Sequence, residues 1–188
     1  MKRKKDEVKI EKYFVEIRGT RPLLMNACNP ELLKREASRR RSEIPDPEEE
    51  AKMRMYKDPE GKPCIPAYVV KACLRSAGRN YKVPQRQATY AAMIRAGIQI
   101  EPEYIPLKSN GWVIDIRPVV VQRSRILRAR PRFDEWGLEF YIINLDPGIL
   151  KKDVVRQILI DAGKYYGIGD YRPEYGLFEV VKFEVVKG

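Results

Sequence analysis

Histidine is absent from the 188 residues of this chain, and cysteine occurs only three times. Without histidine, the commonest general acid or base is excluded, as are the serine–histidine and cysteine–histidine nucleophile pairs. Cys28, Cys64 and Cys73 are widely spaced and form no C-x-x-C pair. We therefore expect no zinc site, no disulfide and no bound cofactor.

Long apolar runs are also missing, and the basic residues 1–6 are not followed by the hydrophobic stretch of a signal peptide. We therefore expect a cytoplasmic protein with no membrane partner. The length suits a single domain, residues 1–188, that is large enough to bury a core. Charged residues make up 34% of the chain and it contains 14 prolines, a composition that is compatible with a thermophilic source.

Positive charge is what the sequence has in excess. Its 37 lysines and arginines outnumber 26 acidic residues, which gives a formal net charge of +11. Such a surplus favours polyanionic partners, and nucleic acid is the commonest polyanion in a cytoplasm. Composition alone leaves a second interpretation open, a solvated and charge-rich surface without a specific ligand.

Hydrophobic periodicity predicts an α+β protein. The predicted strands are residues 8–18, 98–107, 112–122, 124–132, 138–145 and 177–186. The predicted helices begin at residue 46 and end by about residue 58, then span 66–80, 85–96 and 149–166. Residues 19–47 are predicted to be an irregular, mobile insertion. The order matches the βαββαβ core of a ferredoxin-like (modified RNA-recognition) fold, with a helical insertion and a basic β-ribbon.

The predicted helix 66–80 carries the first candidate binding residues. Its expected packing stripe consists of Tyr68, Val69, Ala72, Cys73 and Ser76. This arrangement leaves Lys71, Arg75 and Arg79 at spacings of four on one face, where they could hold phosphates. The alternative is an ordinary solvated helix face.

A predicted β-ribbon, which begins near Trp112, carries more cations. The candidate nucleic-acid-binding residues on it are Arg123, Arg125, Arg128, Arg130 and Arg132. The first two share one face and the last three share one face, because side chains alternate along a strand. A bulge near Ile126 and Leu127 would join both groups into one basic stripe. The alternative is an edge strand whose charges block aggregation.

A glycine-rich segment, residues 167–176, joins the last predicted helix to the last strand. Its three glycines permit positive φ angles and a close backbone approach, and Tyr171 and Arg172 offer base stacking and a phosphate contact. The alternative is a tight structural connection with Arg172 in a salt bridge. Phe133 and Trp136 could also stack on bases, but we expect both in the core.

Residues 65–75, I-P-A-Y-V-V-K-A-C-L-R, resemble the motif I-P-G-S-S-L-K-G-A-L-R of the repeat-associated mysterious protein (RAMP) superfamily. That superfamily includes the backbone subunits of CRISPR effector complexes. Pro66, Lys71, Leu74 and Arg75 match the motif directly. The departures from it include Ala67, Tyr68, Val69, Val70 and Ala72. Residues 167–176 are similar to the C-terminal glycine-rich loop of the same superfamily.

The resemblance implies that Lys71 and Arg75 lie near a nucleic-acid backbone and that Arg172 sits in a binding loop. It also implies self-association along a strand, with an insertion that acts as a thumb, in a ribonucleoprotein of antiviral defence. Some members cleave RNA with an acidic residue in an early loop, where this chain has Asn26 and Asn29.

The leading hypothesis is a non-catalytic protein that binds single-stranded nucleic acid, RNA rather than DNA, and oligomerises along it. Three alternatives stay open. One is a metal-dependent ribonuclease of the same fold, although no converging carboxylate pattern stands out in the sequence. Another is a viral protein that binds single-stranded DNA. The third is a structural protein whose basic face docks an acidic partner.

Overall fold

The structure, a computed structural model, describes residues 10–28, 30–38, 46–121 and 124–186. Its strands are β1 Glu11–Gly19, β2 Leu23–Leu24, β3 Cys64–Pro66, β4 Ile98–Glu101, β5 Tyr104–Pro106, β6 Lys108–Ser109, β7 Val113–Val121, β8 Ser124–Phe133, β9 Trp136–Asn144 and β10 Phe178–Val186. Its α-helices are α1 Pro30–Ser38, α2 Pro47–Met53, α3 Ala67–Gly78, α4 Tyr90–Gly97 and α5 Lys152–Asp161, and a π-helical segment, Ala162–Tyr166, follows α5. None of the helices in these ranges is long and apolar enough to cross a membrane.

The main sheet is antiparallel, with the strand order β10-β1-β9-β4, and β6 extends it beside β9. In chain order its elements are β1, α3, β4, β9, α5 and β10, so the first strand lies between the fourth and the third. This is the strand order expected of a ferredoxin-like βαββαβ unit. The predicted α+β fold class is therefore confirmed.

Alternation along the central strands determines which face of the sheet is covered. Tyr13, Val15 and Ile17 of β1 are buried, as are Phe140 and Ile142 of β9, and the helices pack on that side. Each fully buried side chain of this size stabilises the fold by roughly 1.5–3 kcal/mol. The residues between them point to the opposite face, which stays half exposed.

Helix α3 packs in a different phase from the prediction. Its buried residues are Val70, Cys73, Leu74, Ala77 and Gly78. Tyr68, which we expected to be inside, is 63% exposed. The reason is area, since Val70 and Leu74 remove more apolar surface from water than Ala72 and Ser76 could. Gly78 lets α4 approach closely, with Ile94 against it.

The segment predicted as an irregular insertion contains regular structure. Leu23 and Leu24 form β2, which pairs with Phe133 and Arg132 of β8, and both leucines are fully buried. Helix α1 follows at Pro30–Ser38. Residues 20–28 therefore contribute to the core, because three consecutive apolar residues, Leu23 to Met25, are covered there. Residues 39–45 lie outside the described ranges.

The predicted β-ribbon exists as β7 and β8, without the bulge near Ile126 and Leu127 that would have joined the two arginine groups. Pairing runs without a shift from Val113 opposite Arg132 to Val121 opposite Ser124. An uninterrupted register keeps strict alternation, so Arg125 faces away from Arg128, Arg130 and Arg132. Arg123 lies outside the described residues.

Candidate nucleic-acid interface

Lys71, Arg75 and Arg79 form a row along the outer side of α3, which we call the α3 cation row. Arg75 and Arg79 are exposed and Lys71 is half-buried. Pro66 sets the entry to the helix, and the Ala67 N–H donates to the carbonyl oxygen of Glu103 at 2.8 Å. Within the described ranges, no carboxylate lies within ion-pair distance of these three cations. Their charge is therefore available to an external anion.

The glycine loop, residues 167–176, lies beside this row. Gly167, Gly169 and Gly176 have φ angles of +69°, +82° and +73°, a region that side chains rarely adopt. Two backbone bonds fix the loop to the segment around β2: Asp170 N donates to Leu24 O at 2.7 Å, and Gly176 N donates to Pro22 O at 2.8 Å. The loop thus holds its side chains in a defined place.

Gly176→Ala should destabilise the fold by about 3 kcal/mol in urea unfolding. A Cβ at this position would lie 1.7 Å from the Ile168 carbonyl oxygen, in addition to the positive φ. Gly61→Ala is the matched control, since Gly61 has φ +84° but no atom near the added methyl. It should lose only about 1 kcal/mol. Equal losses in the two variants would contradict the close-approach argument.

Arg172 of the glycine loop lies close to the C-terminal end of α3. A cleft of about 590 Å³ is lined by Arg79 and Asn80, which follow the last residue of α3, and by Tyr171 and Arg172 of the loop. Burial raises the pKa of Cys73 to about 12, while the positive charge of Arg172 acts in the opposite direction. Among the described residues Arg172 has no ion-pair partner, so the salt bridge considered as an alternative is not formed.

Tyr171 is positioned by an arginine. Its side chain is 48% exposed, and the guanidinium of Arg117 lies 5.5 Å from its ring centroid. The same guanidinium lies 4.8 Å from the ring of Tyr175 and donates to its hydroxyl oxygen. Asp115 accepts from Arg117 Nε at 2.6 Å. Tyr171 is therefore held in place with part of its ring available to a ligand.

Three of the ribbon arginines predicted to bind nucleic acid form ion pairs within the protein, and their binding role stays a prediction. The pairs are Arg128 with Glu50 at 3.2 Å, Arg130 with Asp170 at 3.0 Å and Arg132 with Asp134 at 2.9 Å. These carboxylates balance the charges of the three arginines. The single basic stripe that a bulge would have produced does not form among the described residues, because the register is uninterrupted. Arg125 is exposed on the other face of the ribbon.

The contact between Arg130 and Asp170 connects the ribbon to the glycine loop. Arg130 is buried, and among the described residues its Nε and Nη1 atoms have no hydrogen-bond partner, nor does Asp170 Oδ2. Nε and Oδ2 are nonetheless 3.0 Å apart. The interaction is therefore a close charge contact with poor hydrogen-bond angles, and it orients the loop electrostatically.

A second cleft, of about 890 Å³, opens at the other end of α3. We call it the tyrosine cleft, after Tyr56, Tyr68 and Tyr104 in its wall. Strand β3 assembles it, since Cys64 N donates to Tyr56 O at 3.0 Å and Pro66 pairs with Tyr104. Sequence reasoning missed this site because its tyrosines come from three separate segments. All three tyrosines are placed by β3 or its partner strand β5: Tyr56 bonds to Cys64 of β3, Tyr68 follows β3 at the start of α3, and Tyr104 lies in β5.

Asn26 lies in the early loop that follows β2. Asn26 Oδ1 accepts from Arg54 Nη1 at 2.7 Å, which gives Asn26 a structural role. Asn29 lies outside the described residues. In the described part of the chain, no three histidine, cysteine or acidic side chains come together as a metal site would need. The non-catalytic character of the protein stays a prediction.

Comparison with known proteins bears on the fold. No family model and no curated protein matches this chain. Among the solved structures, a chain of the "Cryo-EM structure of the Type III-B Cmr-beta bound to cognate target RNA" matches with a TM-score of 0.63. The two folds are alike. Sequence identity is 19%, and the match covers 95% of this chain and 61% of that chain, so this chain spans less than two thirds of its neighbour.

This likeness agrees with the α+β, RAMP-type fold that the sequence motifs imply. At 19% identity it establishes the fold alone. Membership of the RAMP superfamily and the binding roles of the candidate residues stay predictions.

Proposed function

We propose that this protein binds single-stranded nucleic acid, RNA in preference to DNA, on the surface formed by the α3 cation row and the glycine loop. One observation carries the proposal. Lys71, Arg75 and Arg79 follow one another at spacings of four along α3, Arg79 and Arg172 line the same cleft, and none of the four has a carboxylate partner among the described residues. Three ribbon arginines, by contrast, are paired.

The chemistry of these side chains suits a phosphate backbone. Arginine offers a planar fork of N–H donors that matches phosphate oxygens, and lysine adds a compact charge. Spacings of four residues place the helix cations about 6 Å apart along the axis, at a rise of about 1.5 Å per residue. Tyr171 adds an aromatic ring beside Arg172, where a base could stack. Phosphates would be held in a row, with bases directed outward or onto tyrosines.

The sequence resemblance and the solved neighbour support RNA as the ligand. The motif around Lys71 and Arg75 resembles that of CRISPR backbone subunits, and the neighbouring structure is of a complex bound to target RNA. We infer that this chain is a non-catalytic backbone subunit of a CRISPR-like or related ribonucleoprotein, and that several copies associate along one strand. The asparagine at position 26 in place of a catalytic acid supports binding without cleavage.

A filter-binding titration across salt concentrations tests the proposal. The logarithm of the association constant for a single-stranded RNA should fall with the logarithm of salt at a slope of about −3, since each of four phosphate contacts contributes about −0.7. RNA recovered from the same samples, with Mg²⁺ present, should be full length. Absent or salt-insensitive binding to every single strand, with an acidic protein retained instead, would contradict the proposal.

A further inference from the structure

We propose that the tyrosine cleft takes an unstacked nucleobase of the strand that is bound along α3. This inference rests on the proposed function and adds a site for bases to a site for phosphates. Tyr68 and Tyr104 are 63% and 39% exposed, so both rings can be reached by a ligand. The volume of about 890 Å³ lies within the range of roughly 300–1,000 Å³ that is typical of small-ligand sites.

The wall of the cleft is apolar and aromatic. Met53, Met55 and Ile100 line it together with the three tyrosines. A nucleobase presents two π faces and polar edges, and aromatic rings in such a wall stack on any base. Thioether side chains adapt to flat rings of different shape. The lining therefore suits a base without selecting strongly for its identity.

A hydroxyl pair gives the cleft a polar group for the edge of a base. Burial raises the pKa of Tyr56 to about 12, and the charge and hydrogen bond of Tyr68 act in the same direction. Like an ordinary tyrosine, Tyr56 keeps its proton at neutral pH, and its hydroxyl can both donate and accept a hydrogen bond. Its position beside the exposed Tyr68 places this group within the wall.

Charge connects the cleft to the phosphate site. Lys71 belongs both to the α3 cation row and to the cleft, and Lys52 and Lys57 line it as well. Lys52 is paired with Glu48 at 2.6 Å, whereas no carboxylate of the described residues pairs with Lys57. Glu103 is the acidic residue of the lining. The phosphate that follows an inserted base would thus meet Lys71 at the mouth of the cleft.

The open face of the sheet is the competing aromatic surface. Phe14 and Tyr141 are directly paired across β1 and β9, with ring centroids 5.6 Å apart. However, Lys12 beside them is paired with Glu101 at 3.1 Å, and Lys182 is paired with Glu184 at 3.2 Å. These carboxylates offset the charge of the two lysines, whereas Lys71 and Lys57 of the tyrosine cleft have no carboxylate partner among the described residues. The tyrosine cleft is therefore the better base site.

Matched oligonucleotides test the inference on the full chain. We would compare the affinities for a uridine oligonucleotide and for an abasic strand of the same length and backbone. The natural protein should bind the abasic strand about 10-fold more weakly, because base–aromatic stacking is lost. In Tyr68→Leu/Tyr104→Leu this ratio should fall to about 2-fold or less, while both strands keep the same salt slope. The exposure of both side chains makes this variant compatible with folding.

Tyr141→Leu on the open sheet face is the control, and it should keep the 10-fold ratio. Photocrosslinking with 5-iodouridine gives a second measurement, since the modified base should attach to Tyr68 or Tyr104. Equal affinities for both strands in the natural protein, or a ratio abolished by Tyr141→Leu alone, would overturn the cleft as a base site and leave the proposed function standing. Failure of the protein to bind either strand would overturn the proposed function itself.

Discussion

Replacing Lys71, Arg75 and Arg172 together by alanine should weaken the binding of single-stranded RNA by about 100-fold at physiological salt. Each charge-assisted contact contributes about 1 kcal/mol, and a total of about 3 kcal/mol corresponds to that factor. The slope against salt should become shallower by about 2, because three phosphate contacts are lost. Fold stability should persist, since none of the three side chains pairs with a described carboxylate. Filter binding and circular dichroism measure the two properties.

The control for that variant removes the same charge elsewhere. Lys151→Ala/Lys152→Ala/Arg156→Ala changes the exposed side of α5 and lowers the net charge equally. It should reduce affinity by no more than about 5-fold, through the general field of the protein alone. A similar loss in both triple variants would mean that net charge, and not the α3 surface, determines binding.

Glu50→Ala should destabilise the fold by about 3–5 kcal/mol, the range found when one partner of a buried ion pair is removed. Glu50 Oε1 accepts from Arg54 Nε at 3.1 Å and from Arg128 Nη1 at 3.2 Å, and Oε2 accepts from the Ala129 N–H at 3.2 Å. All of these groups are largely buried. Removal of the carboxylate leaves positive charge in an environment that solvates it poorly.

Chemical denaturation would measure this loss against Glu48→Ala on the same helix. Glu48 pairs with Lys52 at 2.6 Å, but both side chains are more than half exposed. Its replacement should cost no more than about 0.5 kcal/mol. Comparable losses at positions 48 and 50 would show that the buried network contributes little to stability.

The order of elements could be predicted because the central strands alternate between a covered and an open face. In β1 this alternation appears as buried Tyr13, Val15 and Ile17 with less buried residues between them. The phase of α3 could not be predicted, since Tyr68 and Val70 are both plausible core residues until α4 is in place. The periodicity of one helix does not show which of its faces a neighbouring helix will cover.

Part of the candidate site could also be predicted from local sequence. Lys71, Arg75 and Arg172 stand in motifs that a sequence displays directly; the structure places Lys71 and Arg75 along α3 and Arg172 in the cleft beside the C-terminal end of that helix. The partners of the ribbon arginines are distant in sequence, as Glu50 and Asp170 illustrate. Acidic residues at a helix start are ordinarily solvated, so nothing in the sequence marked Glu50 as a buried acceptor.

The glycine loop has a mechanical consequence. It is tied to the segment around Leu24 by Asp170, and Leu24 pairs with Arg132 of β8. Arg130 of the same strand touches Asp170 as well. These contacts connect the glycine loop, β2 and β8. A displacement of β8 near Arg132 would therefore also move the loop and Arg172. A partner that binds β7 or β8 would therefore change the position of Arg172 without contacting the glycine loop.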